Sequence, residues 1–85
     1  MDHKLKIETK YIERIISLQK NFEIRRNDRD FQVGDTLTML EYNNIGGYPD
    51  NAREVTLKII YMSAYEQKEG FYVLGTSFVR GGTVK

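Results

Sequence analysis

Three charged residues in the pattern Lys20-x-x-Glu23-x-Arg25 form the densest place in this chain for chemistry. The segment Asn21-Phe22-Glu23-Ile24-Arg25 alternates polar and apolar residues, as a strand does. Successive strand side chains point to opposite faces and rise about 3.3 Å per residue. Glu23 and Arg25 therefore share one face about 7 Å apart, with Lys20 at the strand entrance and Phe22 and Ile24 on the other face. Such a face can grip an anion. Arg25 supplies a planar fork for a phosphate or a guanine edge, and Lys20 a compact positive charge. Glu23 is an acceptor for an exocyclic amine, or a brace between the two cations. The competing reading is an ion-pair network on a solvated strand face, a common and weakly stabilising feature.

The same strand runs into Arg25-Arg26-Asn27-Asp28-Arg29, where backbone donors and guanidinium groups in one turn could meet a phosphate. Equally, Asn27 and Asp28 can simply make the turn, with Asp28 and Asp30 neutralising the arginines. Among six tyrosines and four phenylalanines, Tyr48 in a glycine-rich loop and Tyr72, opposite Phe71 and Val73 in alternation, are the rings best placed to reach a cleft. Exposed rings there would offer stacking platforms for bases. His3 and Lys6 on an N-terminal strand could line the same cleft, although a lone histidine also serves as a hydrogen-bonded structural residue. The candidate ligand-binding set is thus His3, Lys6, Lys20, Glu23, Arg25, Asn27, Arg29, Tyr48 and Tyr72.

These residues need a scaffold. His3-Lys4-Leu5-Lys6-Ile7 alternates as a short half-buried strand. From Thr9, read as an N-cap, Tyr11, Ile12, Ile15 and Ile16 recur at three- and four-residue spacing and predict an amphipathic helix of two to three turns. After the Lys20–Arg25 strand and the Asn27–Asp30 turn, Val33-Gly34-Asp35 swings into a strand over Thr36–Tyr42. Asn43 to Ala52 reads as an exposed loop. Arg53–Met62 is the strongest strand pattern, with Val55, Leu57, Ile59 and Tyr61 on one face and Ile60 and Met62 on the other. Phe71–Leu74 closes the core, and Gly81-Gly82 frees a tail. The expectation is one domain over residues 1–79 with a flexible tail at 80–85. Its order is strand, helix and four more strands, mostly antiparallel because the connections are short.

Composition narrows the chemistry further. A chain of 85 residues fits a single domain that buries roughly 60% of its unfolded surface, leaving little apolar surface for a greasy pocket. It has no cysteine and one histidine, so thiol nucleophiles, disulfides and a zinc site have no ligands to draw on, and no metal or cofactor is expected. No apolar run is long enough for a membrane span and no leader pattern opens the chain, which predicts a cytoplasmic protein without a membrane partner. The net charge is only +1, but residues 1–29 carry eight Lys and Arg against five acids, whereas the rest carries five against seven. The basic charge is concentrated around the candidate site. No catalytic triad order, phosphate-binding loop or dinucleotide fingerprint is present.

The run from Lys20 through Asp30-Phe31-x-Val33-Gly34-Asp35, preceded by His3-x-Leu5-Lys6-Ile7 and closed by Glu69-Gly70-Phe71-Tyr72-Val73-Leu74-Gly75, resembles a small ASCH-related, PUA-like family. That family is common in phages and their bacterial hosts, and its function is largely unassigned. The resemblance spans nearly the whole chain. It implies an α+β fold, a PUA-like β-barrel of about five strands with one helix between the first and second. Lys20, Glu23 and Arg25 fall on the G-x-K-x-x-E-x-R signature of ASCH domains. The signature glycine is Leu18 here, and the loop from Gly46 to Arg53 is longer than the family's Tyr-x-Gly-Arg stretch.

The resemblance implies a module that binds RNA, single-stranded nucleic acid or a nucleotide through a polar cleft around Lys20, Glu23 and Arg25. Similar ASCH proteins hydrolyse acetylated cytidine with a lysine, a threonine and a glutamate. Lys20 matches the lysine, but Glu23 stands where the threonine is, and Glu54 and Glu69 are the candidates for the second carboxylate. A hydrolase of modified nucleosides, with Lys20 and Glu23 catalytic, is therefore a second expectation. Capture of a small nucleotide signal or a host protein is a third.

Overall fold

The alternation of β-branched and polar residues is realised as five strands and one helix. They are β1 (Asp2–Glu8), α1 (Thr9–Ile16), β2 (Phe22–Arg26), β3 (Thr36–Tyr42), β4 (Arg53–Ser63) and β5 (Phe71–Thr83). The computed structural model describes residues 1–43 and 45–83, Thr83 through its backbone alone. The strands form one mixed sheet in the order β1-β3-β4-β5-β2. Among the described residues only β1 and β3 run parallel, joined through the crossover that carries α1 and β2; the other neighbouring pairs are antiparallel. The sheet curls into a half-barrel with the helix against its inner face. Its two outer strands, β1 and β2, approach one another without forming a ladder.

The core lies between that inner face and α1. Ile12 and Ile15, one turn apart on the helix, are fully buried against Leu37, Met39, Val55, Leu57 and Ile59, each such side chain contributing about 1.5–3 kcal/mol on leaving water. Phe31 joins them from the β2–β3 connection, at 2% exposure. It is held there by Asn27, whose Oδ1 accepts the Phe31 backbone N–H at 2.7 Å.

Several expectations are corrected. The N-cap of α1 is Glu8, and Thr9 is its first helical residue, with its hydroxyl turned to the Glu41 carboxylate. Tyr11 and Ile16 lie on the exposed flanks of this two-turn helix, because Ile12 and Ile15 alone fill the space above the sheet. In β4 the register against β5 shifts between Ile59 and Tyr61, so Ile60 is an extra residue. A bulge of this kind inverts the alternation beyond it: Tyr61 points outward at 62% exposure, and Met62 packs against the core in its place. Gly75 sits beneath Tyr61, where a Cβ would come within 3.1 Å of the Tyr61 Cβ.

The segment expected as a free tail is also strand. Arg80, Gly81 and Gly82 pair with Thr56, Val55 and Glu54, and the ladder continues to Thr83. Residues 84–85 of the expected tail lie outside the described residues. Gly81 packs closely, and a Cβ there would meet the Phe78 ring at 3.1 Å, so that the ring would have to shift slightly to admit one. Among the described residues, no helix is long and apolar enough to cross a membrane.

Candidate functional site

Helix α1 ends in a Schellman turn, the backbone device that delivers Lys20 to the mouth of β2. Leu18 N–H donates to Ile15 O at 3.0 Å and Gln19 N–H to Arg14 O at 2.8 Å. This is the paired 5→2 and 6→1 arrangement whose C′ residue must be left-handed and is usually glycine. Here that residue is Leu18, with φ 63°. Leu18 thus takes the left-handed conformation that glycine usually supplies at this position of the turn.

β2 then presents its polar face inward. Glu23 is 5% exposed, while Phe22 and Ile24 stand outside at 41% and 52%. The orientation follows from β2's place at the sheet edge, where its inner face looks across the open seam toward β1. Lys20 Nζ forms a direct ion pair with Glu23 Oε2 and donates to Phe22 O at 2.7 Å. From the other side, Arg25 Nη2 donates to Glu23 Oε1 at 3.3 Å and to Lys6 O at 3.1 Å, so one guanidinium bridges the two edge strands. Both carboxylate oxygens of Glu23 are engaged, as a buried carboxylate requires.

The three residues border an open cleft of about 480 Å³, lined also by Lys6, Ile7, Glu8, Tyr11, Phe22 and Ile24. Its volume lies in the range of small-ligand sites. Lys20 Nζ stands 5.0 Å from the Phe22 ring centre and 5.5 Å from that of Tyr11, so apolar rings flank the cation. Beyond Arg25 the surface continues into a second hollow lined by Lys4, Lys6, Arg25, Arg29 and Tyr48.

The structure thus gathers six of the nine candidates around this seam: Lys6, Lys20, Glu23 and Arg25 in the cleft, and Arg29 and Tyr48 beside it. The other three serve elsewhere. His3 is buried on the inner face of β1, edge-on to Phe31 with ring centres 4.7 Å apart, and its Nε2 lies 2.8 Å from Asp35 Oδ2. That hydrogen bond, with the N-terminal ammonium 3.1 Å from Oδ1, holds the Asp35 carboxyl down to about 2. Asn27 is the turn-maker described above. Tyr72 lies opposite Arg25 in the ladder, but its ring packs against the core. Glu54 and Glu69 do not line the cleft; the second carboxylate there is Glu8.

Sequence reasoning passed over Tyr11 and Lys4. By spacing Tyr11 belongs to the apolar helix stripe, yet that stripe is wider than a two-turn helix can bury, which is the available signal. It also passed over a second buried carboxylate, Glu41, at 4% exposure. Arg53 donates to it from Nε and Nη2 at 3.0 Å each, and its backbone N–H adds a third bond at 3.0 Å. This grip holds the Glu41 carboxyl down to about 2 and raises the Arg53 guanidinium above its ordinary value. Among the described residues, no cluster of His, Asp and Glu could hold a metal ion.

Fold and site together define a small α+β half-barrel with a cationic cleft at its open seam. A family model described as a domain of unknown function, DUF3850, matches residues 2–76, and the chain belongs to that family. No curated protein matches the chain.

Proposed function

We propose that this domain is a PUA-like module of the ASCH type that binds nucleic acid, RNA in the first instance, or a nucleotide in the cleft between β1 and β2. The observation that carries the reading is Glu23. It is a buried carboxylate at the edge of an open, nucleotide-sized cleft, with a cation reaching it from either side. A carboxylate in that position accepts from the exocyclic amine of a base. The remaining N–H groups of Arg25 and Lys20 face a phosphate or a carbonyl, and Tyr11 and Phe22 offer ring faces for stacking. The left-handed Leu18 at the signature glycine position supports the ASCH assignment.

The test is fluorescence anisotropy with short single-stranded RNA and DNA and with nucleotides across a salt series. Lys20→Gln and Arg25→Gln are each expected to weaken binding by about tenfold or more, in line with a lost charge-assisted hydrogen bond. Absence of salt-sensitive binding to every probe would reject the reading.

A second reading, a hydrolase of acylated nucleosides, is favoured by the direct Lys20–Glu23 pair and by Glu8 in the same cleft. In it Glu23 or Glu8 activates water and Lys20 stabilises the oxyanion. Release of acetate from an acetylated nucleoside, lost in Glu23→Gln, would establish it; no turnover across an acylated-nucleoside panel would dismiss it.

A further inference from the structure

The cleft does not end at Arg25. Lys6 and Arg25 are a common wall, lining the first hollow on one side and the second, of about 390 Å³, on the other. Each hollow falls within the volume range of a small-ligand site. Each also carries an exposed tyrosine: Tyr11 at 40% in the first and Tyr48 at 51% in the second. The cations are distributed accordingly. Lys20 belongs to the first hollow, Lys4 and Arg29 to the second, and Lys6 and Arg25 stand between. Among the described residues, neither Lys6 nor Arg29 is in an ion pair, and Lys6 Nζ instead lies 4.6 Å from the Tyr42 ring centre and 5.8 Å from that of Tyr48. Tyr48 is itself fixed edge-on against Tyr42, with ring centres 5.1 Å apart, so its exposed ring face is held in place.

Two hollows, each with an aromatic wall and sharing a pair of cations, present ring and charge in the order found in a dinucleotide: base, phosphodiester, base. We propose that the ligand of this domain is a dinucleotide unit. One nucleoside sits against Tyr11, Phe22 and Glu23, the linking phosphate on Lys6 and Arg25, and the second base on Tyr48 with Arg29 beside it. This rests on the reading of the first cleft as a nucleotide site and adds that a mononucleotide fills only half of the surface. A single strand and a free dinucleotide both supply this unit, since the recognised chemistry is the same.

Titration of the whole protein with a nucleoside monophosphate, a linear dinucleotide, a cyclic dinucleotide and a tetranucleotide tests it. At least one dinucleotide is expected to bind about tenfold or more tighter than the mononucleotide, the stacking of one further base on an aromatic ring being of that order. Tyr48→Ala and Arg29→Gln, both at exposed positions, are expected to erase that gain while leaving mononucleotide affinity unchanged. A further gain with the tetranucleotide identifies a strand as the source, and no further gain a free dinucleotide; either supports the two-unit site. Equal affinity for one and two units, or equal weakening of both by Tyr48→Ala, overturns this proposal and leaves the single-nucleotide reading standing. No binding by any of the four overturns both.

Discussion

Glu23 and Glu41 are equally buried carboxylates, each gripped by an arginine, at 5% and 4% exposure, yet they sit in different surroundings. Around Glu41, Arg53 spends its Nε and Nη2 on the carboxylate, its Nη2 also reaching Glu13, and its backbone N–H on the same oxygen as Nε. Those bonds lie where β3, β4 and α1 meet, away from the cleft, although the Arg53 side chain is about as exposed as that of Arg25, 29% against 27%. Around Glu23 the two cations arrive from opposite sides, and both border an open cleft. A buried carboxylate is therefore no sign of function in itself. What separates the clamp from the candidate site is that Lys20 and Arg25 line the cleft and Arg53 does not.

The comparison can be broken by experiment. Arg53→Met leaves Glu41 buried without a counter-charge, and losses of about 3–5 kcal/mol are typical of such a break. The chemical-denaturation midpoint is expected to fall accordingly, with the nucleotide affinity of the folded protein unchanged. Arg25→Met makes the converse case: affinity falls by about ten- to a hundredfold, as for loss of a hydrogen bond from a charged group. Its denaturation midpoint is expected to move less than that of Arg53→Met, because Lys20 still pairs with Glu23. If Arg25→Met proves the more destabilising of the two, the Glu23 cluster is the clamp and the contrast collapses.

Acid sharpens the contrast at intermediate size. Asp35 and Glu41 are both held at about 2, against ordinary values of 3.8 and 4.5. A carboxyl whose folded value is depressed contributes stability that is complete above its unfolded value and lost as pH falls toward its folded value. Stability against thermal unfolding is therefore expected to fall between about pH 4.5 and 2. That loss should be flatter in Asp35→Asn and Glu41→Gln, measured against their own neutral-pH stabilities. The smallest effect is at Leu18. Relief of a left-handed L-residue is worth about 1–2 kcal/mol, offset by about 0.5–1 kcal/mol of glycine backbone entropy. Leu18→Gly should stabilise by up to about 1.5 kcal/mol in the same denaturation assay and leave affinity intact.

Local pattern carried much of the fold. The bounds of β3 and the start of β4 follow from alternation and from the glycine- and proline-bearing loop between them, because strand period and turn chemistry act over a few neighbouring residues. Tyr61 escaped because a one-residue bulge has no compositional mark. The tail escaped because two glycines signal freedom unless a neighbouring strand is there to pair with them.

The candidate site divides in the same way. Sequence alone established that Lys20, Glu23 and Arg25 are brought together by a turn and a strand, and that thiol nucleophiles and disulfides are excluded by the lack of cysteine. It also established that β2 has one polar and one apolar face. Which of those faces turns inward was decided only by tertiary structure, since a period of two is symmetric between them. β2 pairs with β5, some fifty residues later, and so becomes the sheet edge facing β1. At that open seam the polar face is the inner one, Lys6 arrives from the opposite edge, and His3, three residues away on β1's other face, is committed to Asp35.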